Sequence, residues 1–224
     1  MTLEAGAVRR FRCRGVNAYL VDDGGTLTLV DAGTPWDGAR MREMLSSSGV
    51  SPSAIDRVLL THFDLDHVGT LATLGLDADV PIHASEPDAS FLLGDADPPA
   101  GNHKGAFQRL ARLFIDSPEN EVIRVSDGDE VGGFDAYRTP GHTPGHVAYH
   151  HAGHGAAFLG DVVRGSDGEL DTLPWPMCYD ADRNEKSLAD LAERIDPFEV
   201  ACVGHGDPIR TGGYDALRRA ADRL

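Results

Sequence analysis

The sequence predicts a single domain of mixed α and β structure, covering residues 1–224, in which two halves each pass from strands to helices. Short apolar runs bounded by Gly, Pro and Asp alternate along the chain with segments of helical apolar spacing. No low-complexity tract or charged linker divides the chain. Its 224 residues, 41% of them hydrophobic, can bury one substantial core or two half-cores packed together.

The first half begins with a predicted hairpin. Residues 11–21 and 26–31 alternate apolar and polar side chains as strands do, and the Asp-Asp-Gly-Gly segment 22–25 between them suits a turn. Residues 38–48 have the spacing of a helix, which Gly49 would end. This order predicts two paired strands followed by a helix.

A predicted strand, a loop and a helix come next. Residues 55–62 form an apolar run typical of a buried strand, and residues 68–76 have the composition of a helix. The polar cluster between them falls at the carboxyl end of the strand, where open α/β sheets bind ligands. Residues 81–85 are a further predicted strand, and residues 105–114 a further predicted helix.

The second half is richer in strands. Residues 121–163 contain several short strand patterns separated by Gly-rich turns. A helix at 186–195, a strand at 199–203 and a helix at 214–224 are predicted to follow. The segment 86–118 is the largest insertion-like region, and we expect a lid over the binding site there. The alternative is that this segment only covers the core.

The charge balance excludes some classes of partner. The chain has 36 acidic and 20 basic residues, a net charge of −16, which disfavours nucleic-acid binding. Only Lys104 and Lys186 are lysines, and aspartate outnumbers glutamate, which is typical of proteins from salt-loving archaea; an acidic protein from a GC-rich organism is the alternative. No apolar run is long enough for a signal peptide or a membrane span, so we expect a soluble, cytoplasmic protein without a membrane partner.

Residues 61–70 (THFDLDHVGT) carry the main chemical signal. Three of their polar side chains alternate with apolar residues, so an extended segment would turn them to one side. Carboxylates this close repel one another unless a cation lies between them. Mixed nitrogen and oxygen ligands suit zinc, iron or manganese. The four candidate ligands are His62, Asp64, Asp66 and His67.

Three further candidates follow predicted strands. His142 lies in a turn stiffened by Pro and Gly, Asp161 comes directly after an apolar run, and His205 follows the last predicted strand. Each alone is a weak signal, but together they could close a centre with two metal ions. The later histidines at 150, 151 and 154 fall in a predicted hairpin turn, and there we expect exposure to solvent rather than a third metal site.

The combined pattern resembles the metallo-β-lactamase superfamily, whose signature is THxHxDH followed by a GHTPGH-type turn, a GD pair and a GH loop. Asp31 in LVDAG matches an early strand-ending aspartate of that family. The resemblance spans roughly residues 12 to 210. It implies the α+β fold class, as a four-layer αββα sandwich of two mixed β-sheets flanked by helices.

The resemblance also implies which residues hold two divalent metal ions. Zinc is the expected metal, with iron or manganese as alternatives. Asp64 departs from the family pattern, which has histidine there. Its carboxylate either binds a metal ion directly or supports a residue that does. We expect His146 and Asp31 to hydrogen-bond a ligand or the substrate. The implied first site is His62, Asp64 and His142, the implied second site is Asp66, His67 and His205, and Asp161 bridges the two.

The resemblance implies hydrolysis of an ester, thioester or lactone of a small molecule by a bridging, metal-bound hydroxide. Asp66 is the expected catalytic carboxylate, both binding a metal ion and orienting or deprotonating the nucleophile. One alternative is a non-haem iron oxidoreductase of the same fold, similar to persulfide dioxygenases or diiron oxygen reductases, which the carboxylate of Asp64 favours. Another is a binding protein without activity.

Overall fold

Two β-sheets lie face to face in the computed structural model, which describes residues 7–224. The first sheet contains six strands in chain order. Its first two strand pairings are antiparallel and its last three are parallel. These strands are β1 Val8–Arg12, β2 Asn17–Asp23, β3 Thr26–Val30, β4 Arg57–Leu59, β5 Ile82–Ser85 and β6 Val122–Val125.

The second sheet has five strands and is also mixed. They are β7 Glu130–Val131, β8 Phe134–Arg138, β9 Val147–His151, β10 Ala156–Gly160 and β13 Val200–Val203. Their order is β13-β10-β9-β8-β7, and the pairing of β10 with β13 is parallel while the others are antiparallel. A separate ribbon consists of β11 Arg164–Ser166 and β12 Glu169–Asp171.

Six α-helices accompany the sheets in the described part of the chain. They are α1 Gly38–Ser47, α2 Leu65–Val68, α3 Asp88–Leu93, α4 His103–Ala111, α5 Ala181–Arg194 and α6 Gly213–Ala221. None of these helices, within residues 7–224, has the length and apolar character needed to span a membrane.

Three apolar clusters define the layers. Tyr19 of the first sheet meets Phe158 of the second edge-on, with ring centroids 5.6 Å apart, in the cluster between the sheets. Met41 of α1 packs on the outer face of the first sheet, and Leu188 of α5 and Leu217 of α6 pack on the outer face of the second. Burying each such side chain contributes about 1.5–3 kcal/mol. The layers therefore run helix, sheet, sheet, helix, and the predicted fold class is confirmed.

Two expectations for the first half are wrong in detail. The predicted strand 11–21 is interrupted by a tight turn, in which Cys13 N donates to Val16 O at 2.9 Å. The predicted helix 68–76 is also absent, because α2 ends at Val68. At Gly69 the chain passes so close to Pro35 that a Cβ atom would lie 2.2 Å from the proline nitrogen.

The remaining differences concern helix bounds and the segment 86–118. Helix α5 begins before the predicted 186, because Asp180 caps it by accepting from Arg183 N at 2.9 Å. Within 86–118, α3 packs its apolar side chains into the core of the first sheet, whereas α4 lies beside the strand ends that carry the candidate ligands. One part of this segment therefore covers the core, and another part flanks the site.

Candidate metal centre

The candidate ligands converge on one edge of the two sheets. Four of them follow β4, in a loop and the helix α2 after it, while Asp161 follows β10 and His205 follows β13. Parallel strands end at the same edge, so their carboxyl ends bring distant parts of the sequence together. His142 reaches the same place from the loop between β8 and β9. The structure thus brings all seven predicted side chains together.

The first group consists of His62, Asp64 and His142. His142 Nε2 lies 3.0 Å from Asp64 Oδ2 and 3.1 Å from His62 Nε2. The distance from His62 Nε2 to Asp64 Oδ2 is 3.4 Å. Ligand atoms on a tetrahedral zinc ion lie about 3.4 Å from one another. These separations fit three ligands of one ion.

The second group consists of Asp66, His67 and His205, whose ligand atoms all lie within 4.8 Å of one another. His205 Nε2 is 3.3 Å from Asp66 Oδ2. Asp161 lies between the two groups: its Oδ2 is 3.1 Å from His205 Nε2 and 3.4 Å from His142 Nε2. One carboxylate therefore reaches ligands of both groups.

Two buried atoms at this place have no hydrogen-bond partner in the described structure: His67 Nε2 and Asp161 Oδ1. They face each other at 3.7 Å. Leaving a buried polar atom unpaired costs about 1–3 kcal/mol. A divalent cation would satisfy both, since it accepts an imidazole lone pair and a carboxylate oxygen together. The residues present therefore fit a metal ion.

Asp31 orients two of the imidazole rings. Its Oδ2 accepts from Thr61 Oγ1 at 2.8 Å and lies 2.8 Å from His67 Nδ1. Thr61 Oγ1 in turn lies 2.9 Å from His62 Nδ1. With both Nδ1 atoms used in this way, each ring turns its Nε2 towards the centre. Asp31 therefore contacts one candidate ligand directly and reaches a second through Thr61.

His146 supports Asp161 rather than facing an ion. Its Nε2 accepts from the backbone N–H of Asp161 at 2.9 Å, and its Nδ1 lies 2.7 Å from Thr139 Oγ1. Gly160 makes this approach possible, since a Cβ atom there would lie 2.7 Å from His146 Nε2. Both ring nitrogens are therefore engaged by the protein.

The charges of the centre shift several pKa values strongly. Burial lowers the pKa of His205, but the carboxylates of Asp161 and Asp66 outweigh burial and raise it to about 11. For His67, burial is likewise outweighed by Asp31 and Asp161, and the pKa rises to about 9. Burial raises the pKa of Asp161, yet the neighbouring imidazoles hold it well below its usual range. The centre therefore attracts positive charge.

Two residues of the site were missed by sequence reasoning, Lys104 and Gln108. Lys104 Nζ lies 2.8 Å from Asp64 Oδ2, and Gln108 Nε2 donates to Asp64 Oδ1 at 2.6 Å. They lie one turn apart on α4 and so point in the same direction. The available signal was weak: Lys104 is one of two lysines in the chain, four residues before a polar residue of a predicted helix.

The centre opens into a cleft of about 550 Å³. Five of the seven candidate ligands line this cleft, together with Lys104 and His103. The ring of His103 also stacks on Trp175, with centroids 4.7 Å apart. The other lining residues are Arg14 and Thr34, which are polar, and Leu65, Phe107, Pro176 and Met177, which are apolar.

The expectation of a solvated turn is wrong for His150 and His151, whereas His154 does lie in a turn. His150 and His151 belong to β9 and are 1% and 5% exposed, so they do not lie in a solvated turn. The turn follows them, at residues 152–154. The segment HHAGH at 150–154 has the polar, Gly-containing composition of a loop. The strand nevertheless extends to His151, because Ala156 of β10 pairs with it there.

Comparison with known proteins agrees with this geometry. A family model described as the metallo-beta-lactamase superfamily matches residues 11–205. An uncharacterized protein of Bacillus subtilis, YobT, is 28% identical over 219 residues, covering 93% of this chain and 90% of YobT. The probable metallo-hydrolase YqjP of the same species is 27% identical over 224 residues, covering 89% of this chain and 69% of YqjP. The crystal structure of TTHA1623 in a di-iron-bound form has a TM-score of 0.68 and 27% identity, covering 93% and 95% of the two chains.

Proposed function

Because the chain belongs to the metallo-beta-lactamase superfamily, we propose that it is a metal-dependent hydrolase of a small ester, thioester or lactone. The observation that carries this proposal is the position of Asp161, which reaches both groups of candidate ligands and leaves its Oδ1 unpaired opposite His67 Nε2. We propose zinc as the divalent metal. When bound, it would supply Lewis acidity and lower the pKa of a bound water molecule.

Asp66 is the proposed catalytic carboxylate. Its side chain is 32% exposed and lines the cleft, and its Oδ2 lies 3.3 Å from His205 Nε2. A carboxylate in this position can orient a water molecule and accept its proton. His205 is kept in place by its own Nδ1, which lies 2.8 Å from Gly15 O. The proton acceptor and its neighbour are therefore both positioned by the fold.

The cleft supports a small substrate with an apolar part. A volume of about 550 Å³ is within the usual range for small-molecule sites. Phe107 and Met177 offer apolar surface on its walls, and they are 60% and 42% exposed. The net charge of −16 supports our proposal that nucleic acid is not a partner. We further propose a cytoplasmic location.

Metal-dependent turnover of ester, thioester and lactone panels tests the proposal. The chelator-stripped protein is reloaded with zinc or manganese, and hydrolysis is measured before and after reloading. Asp161→Ala is expected to lose both activity and bound metal, because its carboxylate reaches candidate ligands of both groups. Asp190→Ala removes an exposed carboxylate on α5 and is the control. No hydrolysis of any panel by reloaded protein, or equal rates in Asp161→Ala and wild type, would exclude the proposal.

A non-haem iron oxidoreductase is the second candidate, and Asp64 favours it. A carboxylate in place of an imidazole makes the ligand set harder, which suits iron. The related structure TTHA1623 is described in a di-iron-bound form. Metal analysis of protein purified without added metal, combined with oxygen-consumption measurements, separates the two candidates. Tightly held iron with oxygen uptake supports the oxidoreductase, and zinc or manganese with hydrolysis supports the hydrolase.

A further inference from the structure

Helix α4 inserts a cationic side chain into the first group of ligands. Lys104 Nζ lies 2.8 Å from Asp64 Oδ2 and 2.6 Å from His142 Nε2. It also donates to Met177 O at 2.9 Å. The residue is 6% exposed, so its ammonium group is held inside the protein and not at the rim of the cleft.

The two groups of ligands differ in how their atoms are paired. In the first group, Asp64 Oδ2 contacts Lys104, and Asp64 Oδ1 accepts from Gln108 at 2.6 Å. In the second group, His67 Nε2 remains buried without a hydrogen-bond partner, as does Asp161 Oδ1. Lys104 therefore occupies the space among the ligand atoms of the first group, whereas no side chain of the described structure lies between His67 Nε2 and Asp161 Oδ1 in a hydrogen bond.

We propose that the ammonium group of Lys104 is the resident cation of the first group, so that the centre binds one divalent ion tightly, at the second group. This inference rests on the proposed metal-dependent function. A divalent ion between Asp64 and His142 would lie within about 3 Å of Nζ, where two positive charges repel strongly. The first position would accept an ion only after Lys104 moved away.

Counting tightly bound ions in matched variants tests this assignment. Chelator-stripped protein is titrated with zinc by calorimetry, and retained zinc is measured after gel filtration. Lys104→Met keeps most of the aliphatic stem and removes the charge, and we expect it to bind one more equivalent than wild type. Lys186→Met, which changes the other lysine, is exposed on α5 and should match wild type. The quantity compared is the difference in bound zinc between each variant and wild type, so zinc bound elsewhere on the protein does not affect the result.

Lys104→Arg provides a second variant that keeps the positive charge, and its ion count should equal that of wild type. Equal counts in wild type and Lys104→Met would overturn the assignment to Lys104 while leaving the hydrolase proposal intact. A third variant, His205→Ala, tests the metal centre itself. If wild type and His205→Ala retain the same number of ions, there is no metal ion at the second group, and the proposed function fails as well. Circular dichroism melting of each variant identifies any that has not folded, and Lys104→Gln, which also removes the charge, then replaces Lys104→Met in the comparison.

A second cluster, independent of the first, joins the two sheets at the far end of β9. Asp23 ends β2 of the first sheet, His151 ends β9 of the second, and His154 lies in the turn that follows. One ligand atom from each lies within 4.8 Å of the others. The imidazole rings of His151 and His154 stack with centroids 4.2 Å apart. Three side chains capable of binding metal therefore share one place.

Three of the four imidazole nitrogens of this cluster are buried without a hydrogen bond. His151 Nδ1, His151 Nε2 and His154 Nε2 have no hydrogen-bond partner in the described structure. Asp23 oxygens lie 3.5 Å from His151 Nε2 and 3.3 Å from His154 Nε2, which are separations typical of neighbouring ligands on one ion. We infer that Asp23, His151 and His154 bind a transition-metal ion such as zinc, which would fasten the two sheets together.

Variants of this cluster should lose one bound ion without affecting hydrolysis. Asp23→Asn and His154→Gln are each expected to retain one zinc equivalent less than wild type, and to lose part of the zinc-dependent rise in melting temperature. Asp22→Asn makes the same charge change in the neighbouring residue and is the control. Zinc counts and melting temperatures equal to those of wild type in both cluster variants would overturn the inference, whatever the state of the main centre.

Discussion

The carboxylate of Asp31 lies 2.8 Å from Nδ1 of His67, on the opposite side of the ring from the unpaired Nε2. This relationship fixes which nitrogen of His67 faces the centre. It also makes Asp31 the most informative residue to change among those that do not face the ion.

Asp31→Asn should weaken zinc binding about 10- to 100-fold, because the support behind His67 is lost. Asparagine suits this position, since Asp31 has a φ of +59° and asparagine tolerates that region better than most residues. Competitive zinc titration with a chelator of known affinity measures the effect. Asp190→Asn should leave the affinity unchanged. An unchanged affinity in Asp31→Asn would show that this hydrogen bond does not orient a ligand.

Metal affinity should rise steeply with pH. Without an ion, His67 and His205 have pKa values raised to about 9 and about 11, so both are protonated at pH 7. An ion replaces the proton on each Nε2, so binding releases about two protons and affinity increases about 100-fold per pH unit from pH 7 towards 9. Lowering the pH has the opposite effect. Calorimetry in buffers of different ionisation enthalpy counts the protons, and a count near zero would contradict the expectation.

Gly69→Ala should destabilise the protein by about 1–3 kcal/mol, or more, through steric overlap. A Cβ atom at this position would lie 2.2 Å from Pro35 N and 2.4 Å from Thr34 C, and both are backbone atoms that cannot move alone. Gly101→Ala, where a Cβ atom would meet nothing within 4 Å, should change stability by less than about 0.5 kcal/mol. Urea unfolding measures both. Equal stabilities of the two variants would contradict the predicted overlap.

Phe107→Ala should raise KM about 10-fold for substrates with a large apolar group, with little change for small ones, because Phe107 forms part of the cleft wall. Leu110→Ala is a close control: it lies on the same helix and is equally exposed, at 61% against 60%, but does not line the cleft. Steady-state kinetics on a series of acyl chain lengths checks this. Parallel changes in the two variants would mean that the wall does not contact substrate.

The overall fold and the family could be predicted because their signals are local. The segment around His62 concentrates its ligands within six residues, and the later Asp161 and His205 each follow an apolar strand. Strand ends of this kind converge in any sheet with parallel neighbours. The resemblance to the metallo-β-lactamase superfamily is confirmed by the family match over residues 11–205, and with it the αββα layering.

What could not be predicted depends on contacts between distant residues. Lys104 meets Asp64 across 40 positions of sequence, and no periodic pattern records that meeting. Helix α3 is only six residues long, and its first residue, Asp88, accepts from Phe63 N and Gly145 N. Gly69, directly after α2, packs closely against Pro35, which lies 34 positions earlier. Each of these contacts joins residues that are far apart in the sequence.

Asp161 comes from the second half of the chain, while His67, which faces it, comes from the first. Each group of candidate ligands draws on both halves, so a metal ion bound there would link the two halves. Binding of this kind favours the assembled state by an amount that grows with free metal, about 4 kcal/mol at 1,000 times the dissociation constant. Metal supply would thus raise the protein's resistance to unfolding and to proteases, separately from any effect on turnover.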